Sequence, residues 1–392
     1  MNVLLATESY WPNADGGAFF ERRLVHGLGD RGHVVTVWTP GPRFASFDET
    51  DGRSVIHRER SLTLWANTKY KVSVFPFLKA RQVLQMDRPD VVHVHNAYWT
   101  GLFTMFWARR MGIPVVATNH FMPENLTLNL SLPELINRPL ARLTWAYLVW
   151  FHNLADYVTS PTPTAIALLV DHGLRQPSEA ITNGIDTEVF RPGIDTTAVV
   201  LKYGIATDRP VILYVGRLDG EKRLDVLVDA MPQVLRDLRA QLVLVGSGKA
   251  RPTLEAQVKR LGIGRDVVFT GFIEESDKSA IYNAATVFTI SSPAELQSIV
   301  TLEAMASGLP IVAVDVAALS ELCHDGKNGF LFPRDDINAL AKKLTAIISD
   351  KPLAKRFSTE SMKIVQATHS TEVMYDGFIA VYEHVLKPRT GA

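Results

Sequence analysis

Short apolar runs rich in β-branched residues recur along the first half of the chain, at residues 3–7, 34–39, 91–95, 114–119, 157–161 and 179–182. Each is bounded by Gly, Pro or polar residues and separated from the next by a longer segment of helical spacing. That alternation predicts βαβ units around a parallel sheet buried on both faces. A second series follows at 211–215, 241–245, 267–270, 286–290 and 311–314. Between the two series, the segment from Asn183 to Pro192 is punctuated by Gly and Pro and opens a polar connection. The pattern therefore predicts an α/β protein of two domains, residues 1–195 and 196–370, with a last helix over 372–386 marked by Tyr375, Phe378, Tyr382 and Val385.

The length agrees, since 392 residues exceed one ordinary core and suit two. Lys plus Arg and Asp plus Glu both total 41, so no global field points to nucleic acid. The single cysteine, Cys323, excludes an internal disulfide and any multi-cysteine metal site. No run of 18 apolar residues occurs, and the opening residues lack the basic flank and cleavage site of a signal peptide. A cytoplasmic location is expected.

Candidate chemistry gathers where strands hand over to helices. In an open parallel sheet, ligands lie beyond the carboxyl ends of the strands, and helix N-termini there favour anions. After the strand at 286–290 comes Ser292 to Gly308, SPAELQSIVTLEAMASG, which places Glu295 in a small-residue loop and Glu303 on the following helix, whose apolar face is Ile299, Leu302, Met305 and Ala306. Ionised carboxylates only accept hydrogen bonds and so suit sugar hydroxyls; a surface Glu and a helix Glu fit the spacing equally well. After the strand at 211–215, Gly216, Arg217 and Lys222 put two cations at one strand-to-helix corner, a pair suited to a diphosphate. Gly16 and Gly17 precede a helix start, where a plain turn and a phosphate loop both fit. His120 lies just past the strand at 114–119, a place also held by structural histidines. The run Gly246-Ser-Gly248-Lys249 fails as a P-loop, because residue 243 is Val and residue 250 is Ala. No Asp-x-Asp occurs. Gly326 and Gly329 read as turn residues.

Two glutamates eight apart followed by EAMASGLPIVA resemble the donor-site signature of glycosyltransferase family 4, retaining enzymes of the GT-B fold. The resemblance covers nearly the whole chain, in family order: Gly16-Gly17, His120, Asn183, Arg217 with Lys222, and Glu295 with Glu303. It implies two doubly wound Rossmann-like domains facing each other across a cleft, the terminal segment 371–392 crossing back to the first. It implies that Glu295 holds donor-sugar hydroxyls and Glu303 the ribose, that Ser298 and Ile299 start the donor-binding helix, and that Phe272 and Ile273 belong to the loop that reads the base. It further implies that Gly16, Gly17 and Gly216 approach the diphosphate, that Asn183 lines the site, and that His120 contacts the hexose near its reacting face. Catalysis would rest on His120, Glu295, Arg217 and Lys222, with no metal and no cofactor beyond a UDP-sugar or GDP-sugar donor. One departure stands out: Gln297 and Ser298 replace the usual Phe-Gly pair.

The resemblance implies a metal-independent retaining hexosyltransferase, and the phrase from His120 to Asn125 is similar to lipid-glycosylating members. A glucosyl or mannosyl unit would pass to a membrane lipid such as diacylglycerol or a glycolipid. A sugar-nucleotide epimerase of the same fold, or transfer to a soluble or polysaccharide acceptor, are the alternatives. Two stretches fit an anionic membrane surface. Residues 60–82 hold five bases and no acid among Trp65, Tyr70, Phe75 and Phe77; residues 138–154 hold Trp145, Tyr147, Trp150 and Phe151. An ordinary solvated face and core aromatics explain the same residues. Peripheral attachment to the inner face of the cell membrane is the corresponding expectation.

Overall fold

The computed structural model describes residues 1–13, 16–63, 71–74, 76–123, 134–316 and 318–387. The chain divides into two compact units. One takes Met1–Pro123, the described residues up to Asn183 and those from Glu372 onward; the other takes Gly184–Thr371.

The first unit is built on β1 (Asn2–Ala6), β2 (Val34–Pro40), β3 (Phe47–Asp51), β4 (Ser54–Glu59), the antiparallel pair β5 (Ser61–Thr63) and β6 (Lys71–Ser73), then β7 (Val91–Val94), β8 (Val115–Thr118), β9 (Tyr157–Ser160) and β10 (Ser178–Ala180). Its main sheet has the order β10-β9-β8-β7-β1-β2-β4-β3, parallel except for β3 against β4. The chain runs outward from β1 on one side, then returns to build the other side from β7. The direction reverses between β1 and β7, so the crevice beyond their carboxyl ends is the expected ligand position. The helices used below are α1 (Gly16–Asp30), α2 (Pro76–Asp87), α3 (Trp99–Arg110) and α4 (Glu134–His152).

The antiparallel edge β3–β4 lay outside the expected strands. Its pattern is polar on both faces at β3, FDETD, so it carries no apolar run to announce it. What holds it is pairing: Phe47 through Asp51 register against Arg58 through Ser54.

The C-terminal helix, Thr371–Leu386, packs into this first unit. Met374, Tyr375, Phe378, Val381 and Tyr382 join Leu5, Phe20, Leu24 and Val116 in one core cluster. The Tyr375 ring fills the space over Gly27, where a Cβ would meet it at 2.0 Å, so the glycine makes room for the helix.

The second unit holds β11 (Val211–Val215), β12 (Gln241–Val245), β13 (Val267–Gly271), β14 (Val287–Ile290), β15 (Ile311–Val314) and β16 (Gly329–Phe332) in the order β13-β12-β11-β14-β15-β16, all parallel. Here the reversal falls between β11 and β14.

Two expectations need correction. The boundary set at 195 moves back to Asn183–Gly184, because Ile185 and Phe190 are buried in the second unit's core and Ile185 pairs with His369 and Thr371 through the backbone. Gly329 is no turn residue but the first of β16; a Cβ there would stand 1.9 Å from the Ile311 carbonyl oxygen, so only glycine lets the strands approach. Gly326, at φ +74°, does turn.

Candidate active site

In the second unit Gly216, Arg217, Lys222 and Glu295 lie on the loops that follow β11 and β14, at the reversal, while Phe272 and Ile273 follow the edge strand β13. Gly216 directly follows β11 at φ +151°, with the Tyr214 hydroxyl 2.6 Å from where a Cβ would be, so the chain can leave the sheet there only as glycine. Gly246, at the end of β12, has φ +130° and abuts Gly216 so closely that a Cβ would lie 1.9 Å from its carbonyl oxygen. The rejected P-loop thus has a packing role. Leu218 N–H donates to the Ser247 carbonyl, and Lys249 N–H to the Asp219 carboxylate at 3.0 Å.

A short 3-10 turn, Gly220–Lys222, follows. Ser291, just past β14, donates to the carbonyls of Lys222 and Arg223 at 2.9 Å each, in a bifurcated hydrogen bond that ties this turn to the neighbouring strand end. Lys222 Nζ is thereby held 2.7 Å from Oε1 of Glu295. Arg217 reaches the carboxylates of Asp219, at 2.6 Å, and Glu221. The two cations expected to stand open for a diphosphate are therefore paired with acids, and the acids Asp219 and Glu221 were not foreseen. Lys222 is only 14% exposed, and Glu295 balances its charge there, whereas Arg217 is 59% exposed and its pairing is a surface one.

Ser298 caps the helix Ile299–Ala306, accepting from Thr301 N–H at 3.3 Å and from its hydroxyl at 2.8 Å. Ile299 opens that helix and stays partly exposed. One turn on, Glu303 is buried at 2% exposure and is bound by Lys278 Nζ at 2.8 Å and the Tyr282 hydroxyl at 2.8 Å. Burial raises its pKa against the lowering effect of Lys278. Lys278 and Tyr282 escaped sequence reasoning, although both lie on the amphipathic segment Glu275–Asn283. Phe272, after β13, exposes 76% of its surface while Ile273 beside it is buried, which leaves an aromatic face open to a planar partner.

The first unit gathers a different set at its own β1/β7 reversal. Gly16 and Gly17 open α1, one residue pair earlier than the Ala18 start the sequence indicated; Ala14 and Asp15 of that loop lie outside the described residues. His120 Nε2 sits 3.1 Å from Nδ1 of His95, their rings stacked at 12°, and Phe20 packs 5.0 Å from the His120 ring. Enclosure pushes the His120 pKa down to about 4, so the imidazole is neutral near pH 7. His93, two residues before His95 on the same strand face, is fixed by Tyr382 and Thr118 at 2.6 Å each and lies at about 3. Two histidines at period two inside a buried strand were the signal for this cluster.

Glu8, directly after β1, was also missed. One carboxylate oxygen accepts from Thr100 N–H at the start of α3, at 2.7 Å; the other is buried without a hydrogen-bond partner among the described residues. Burial pushes its pKa up to about 7. Asn183 is buried at the unit's edge, its carbonyl accepting from Arg23 at 3.4 Å.

The aromatic helix expected at 138–154 is α4, and it divides its rings: Trp145 and Phe151 are core, whereas Tyr147 and Trp150 are exposed. Of the stretch 60–82, Trp65, Lys69, Tyr70 and Phe75 lie outside the described residues, as do Glu124 and Asn125 of the phrase after His120. No helix among the described residues is long and apolar enough to cross a membrane.

The chain is similar to known glycosyltransferases over both units. Residues 14–189 match the model of Glycosyltransferase Family 4, and 197–363 that of Glycosyl transferases group 1. The chain is 28% identical over 339 residues to the alpha-monoglucosyldiacylglycerol synthase of Streptococcus pneumoniae, spanning 85% of this chain and 75% of that one. It is 32% identical over 289 residues to the D-inositol 3-phosphate glycosyltransferase of Kribbella flavida, spanning 70% and 66%. The crystal structure of Anabaena HepE in complex with UDP superposes with a TM-score of 0.75 at 20% identity, over 98% of this chain and all of that one. With two Rossmann-like parallel-sheet units, each matched by its own family model, the chain belongs to the GT-B glycosyltransferases of family 4 and group 1 type.

Proposed function

We propose that this glycosyltransferase moves a glucosyl or mannosyl unit, with retention of configuration and without a metal, from a nucleotide diphosphate sugar to a membrane lipid. A UDP-sugar is the preferred donor and GDP-mannose the alternative; diacylglycerol or a glycolipid is the acceptor. The observation that carries the reading is the Lys222–Glu295 pair at 2.7 Å, at the one reversal point of the second sheet and beside Arg217.

In this reading the donor diphosphate displaces Asp219 and Glu221 from Arg217, trading one hydrogen bond to each of two carboxylates for a bidentate grip on phosphate oxygens. Lys222 keeps Glu295 oriented toward the sugar hydroxyls and adds charge against the leaving diphosphate, the electrostatic contribution that usually dominates such transfers. Glu303 accepts ribose hydroxyls with the lone pairs that Lys278 and Tyr282 leave over, since a carboxylate has about four acceptor positions. Phe272 supplies a face for the base. Gly16, Gly17 and Asn183 keep their proposed donor contacts, and His120, neutral at working pH, supplies hydrogen bonding to the hexose rather than charge. The lipid acceptor draws support from the S. pneumoniae relative, named for a diacylglycerol product, and from the exposed Tyr147 and Trp150 on α4. Attachment to an anionic membrane through residues 60–82 and 138–154 belongs to the same reading.

Incubation with a panel of nucleotide sugars and total membrane lipid, with and without EDTA, followed by mass measurement of products, tests it. A lipid product one hexose heavier, formed equally in EDTA and with the donor's anomeric configuration, is expected. A product only with soluble acceptors refutes the lipid assignment; full turnover in Glu295→Ala, Arg217→Ala and His120→Ala refutes the site.

A further inference from the structure

On the outer side of the first unit, α2, α3 and α4 leave a groove of about 540 Å³, within the usual range for small-molecule pockets of roughly 300–1,000 Å³. Its walls are Phe77, Leu102, Phe103, Phe106, Trp150 and Leu154. Phe77 forms its aromatic floor, meeting Phe103 edge-on at 5.3 Å and Phe106 at 5.5 Å. Trp150 remains 50% exposed and Phe106 40%. Contiguous apolar surface of this kind normally marks a binding site.

The groove is cationic at one end. Arg109 and Arg110 close α3 and are exposed; Arg109 is held by the Leu154 carbonyl and Arg110 lies 5.1 Å over the Phe106 ring. The sequences of the three helices carry Lys79, Arg81, Arg109, Arg110, Arg138 and Arg142 against only Asp87 and Glu134, in a chain whose charges balance overall at 41 each. Asp87 is turned to His57 at 3.2 Å. Charge here is complementary to an anion.

We propose that this groove binds one acyl chain of an anionic bilayer phospholipid, whose phosphate is met by Arg109 and Arg110. An extended peptide is a poorer occupant, because its backbone N–H and C=O groups would find no partners along apolar walls, and a helix about 10 Å or more across is much broader than a single acyl chain. An acyl chain has no such groups, and its single charged end matches the single charged end of the groove. The lipid is an anchor, not the acceptor being glycosylated. The inference deepens the membrane reading above and does not depend on the donor chemistry.

The test uses lysophosphatidylglycerol with a brominated chain, below its micellar concentration, as a quencher of tryptophan fluorescence in the full-length protein. Saturable quenching is expected, at least tenfold tighter than with lysophosphatidylcholine, and about tenfold weaker for each two methylenes removed from the chain. Trp150→Phe should lower the quenching amplitude while leaving its midpoint, and competition by unbrominated probe, unchanged, the remaining signal coming from Trp107 beside Phe77 and Phe106. Phe106→Asp should abolish binding, and the double variant Arg109→Gln/Arg110→Gln should erase the preference for the anionic headgroup. Absence of saturable quenching, or quenching indifferent to chain length, overturns the proposal. So does self-association that Phe106→Asp abolishes without any lipid effect, which would make the groove a contact between copies. Flotation of the protein with anionic vesicles in the absence of chain binding would also overturn it, while leaving the surface-docking reading intact.

Discussion

Lys222 Nζ lies 2.7 Å from Glu295 Oε1, a contact between residues 73 apart that joins the loop after β11 to the loop after β14. Ser291 holds the Lys222 turn in place from the same strand end. The two side chains are 14% and 16% exposed, between a surface pair and a buried one, and a Gln at 295 would still accept from Lys222 through its amide oxygen. Glu295→Gln should therefore leave the urea midpoint nearly unchanged while lowering kcat by about 100-fold or more, the size expected when an oriented transition-state contact is lost. A large fall in stability with normal kcat would make the pair structural.

Glu303 behaves otherwise. It is buried, and its cationic partner is Lys278. Lys278→Met removes the partner and leaves a carboxylate enclosed, which costs about 3 kcal/mol or more. The double variant Lys278→Met/Glu303→Gln should recover most of that loss, and a double-mutant cycle by chemical denaturation measures the coupling. Equal destabilisation in the single and double variants would mean that the ion pair is not what Lys278 supports.

Glu8 gives the protein a pH dependence of defined sign. Its folded pKa, about 7, stands above its ordinary 4.5 because burial disfavours the charge. The stability it lends is fully present below pH 4.5 and is lost as pH rises through 7. Between pH 5 and 8.5 the wild type should lose about 2.5 kcal/mol relative to Glu8→Gln, whose side chain cannot ionise. Parallel stability curves for the two proteins over that range would contradict the assignment.

Gly246 should tolerate no side chain. Alanine there would place a Cβ 1.9 Å from the Gly216 carbonyl oxygen at a φ of +130°. Gly246→Ala should cost about 2 kcal/mol or more and also weaken donor binding, because the displaced loop carries Arg217. Gly326→Ala, at φ +74° with open space around it, should cost about 1 kcal/mol and spare donor binding. Calorimetric titration with UDP separates the two.

What the sequence determined by itself follows from local periodicity. Buried parallel strands are continuous apolar runs, so β11, β12 and β15 were legible to the residue, and the strand-to-helix loops bearing Arg217, Lys222, Glu295 and His120 were placed at the right sheet ends. The edge strand β3, its inner neighbour β4 and the glycine-led β16 were not legible, because an edge need not be apolar, β4 ends on the polar run His57-Arg58-Glu59, and Gly329 looks like a turn until the Ile311 backbone is beside it. Only the tertiary structure decided which charge meets which. Lys222 with Glu295, Lys278 with Glu303, and Glu8 with the start of α3 depend on contacts across tens of residues, and the burial that raises the pKa of Glu303 and Glu8 is a property of the packed sheet rather than of any segment. The groove between α2, α3 and α4 is of the same kind: each helix shows aromatics in its sequence, but whether a ring is core, as Trp145 is, or open, as Trp150 is, depends on what packs against it.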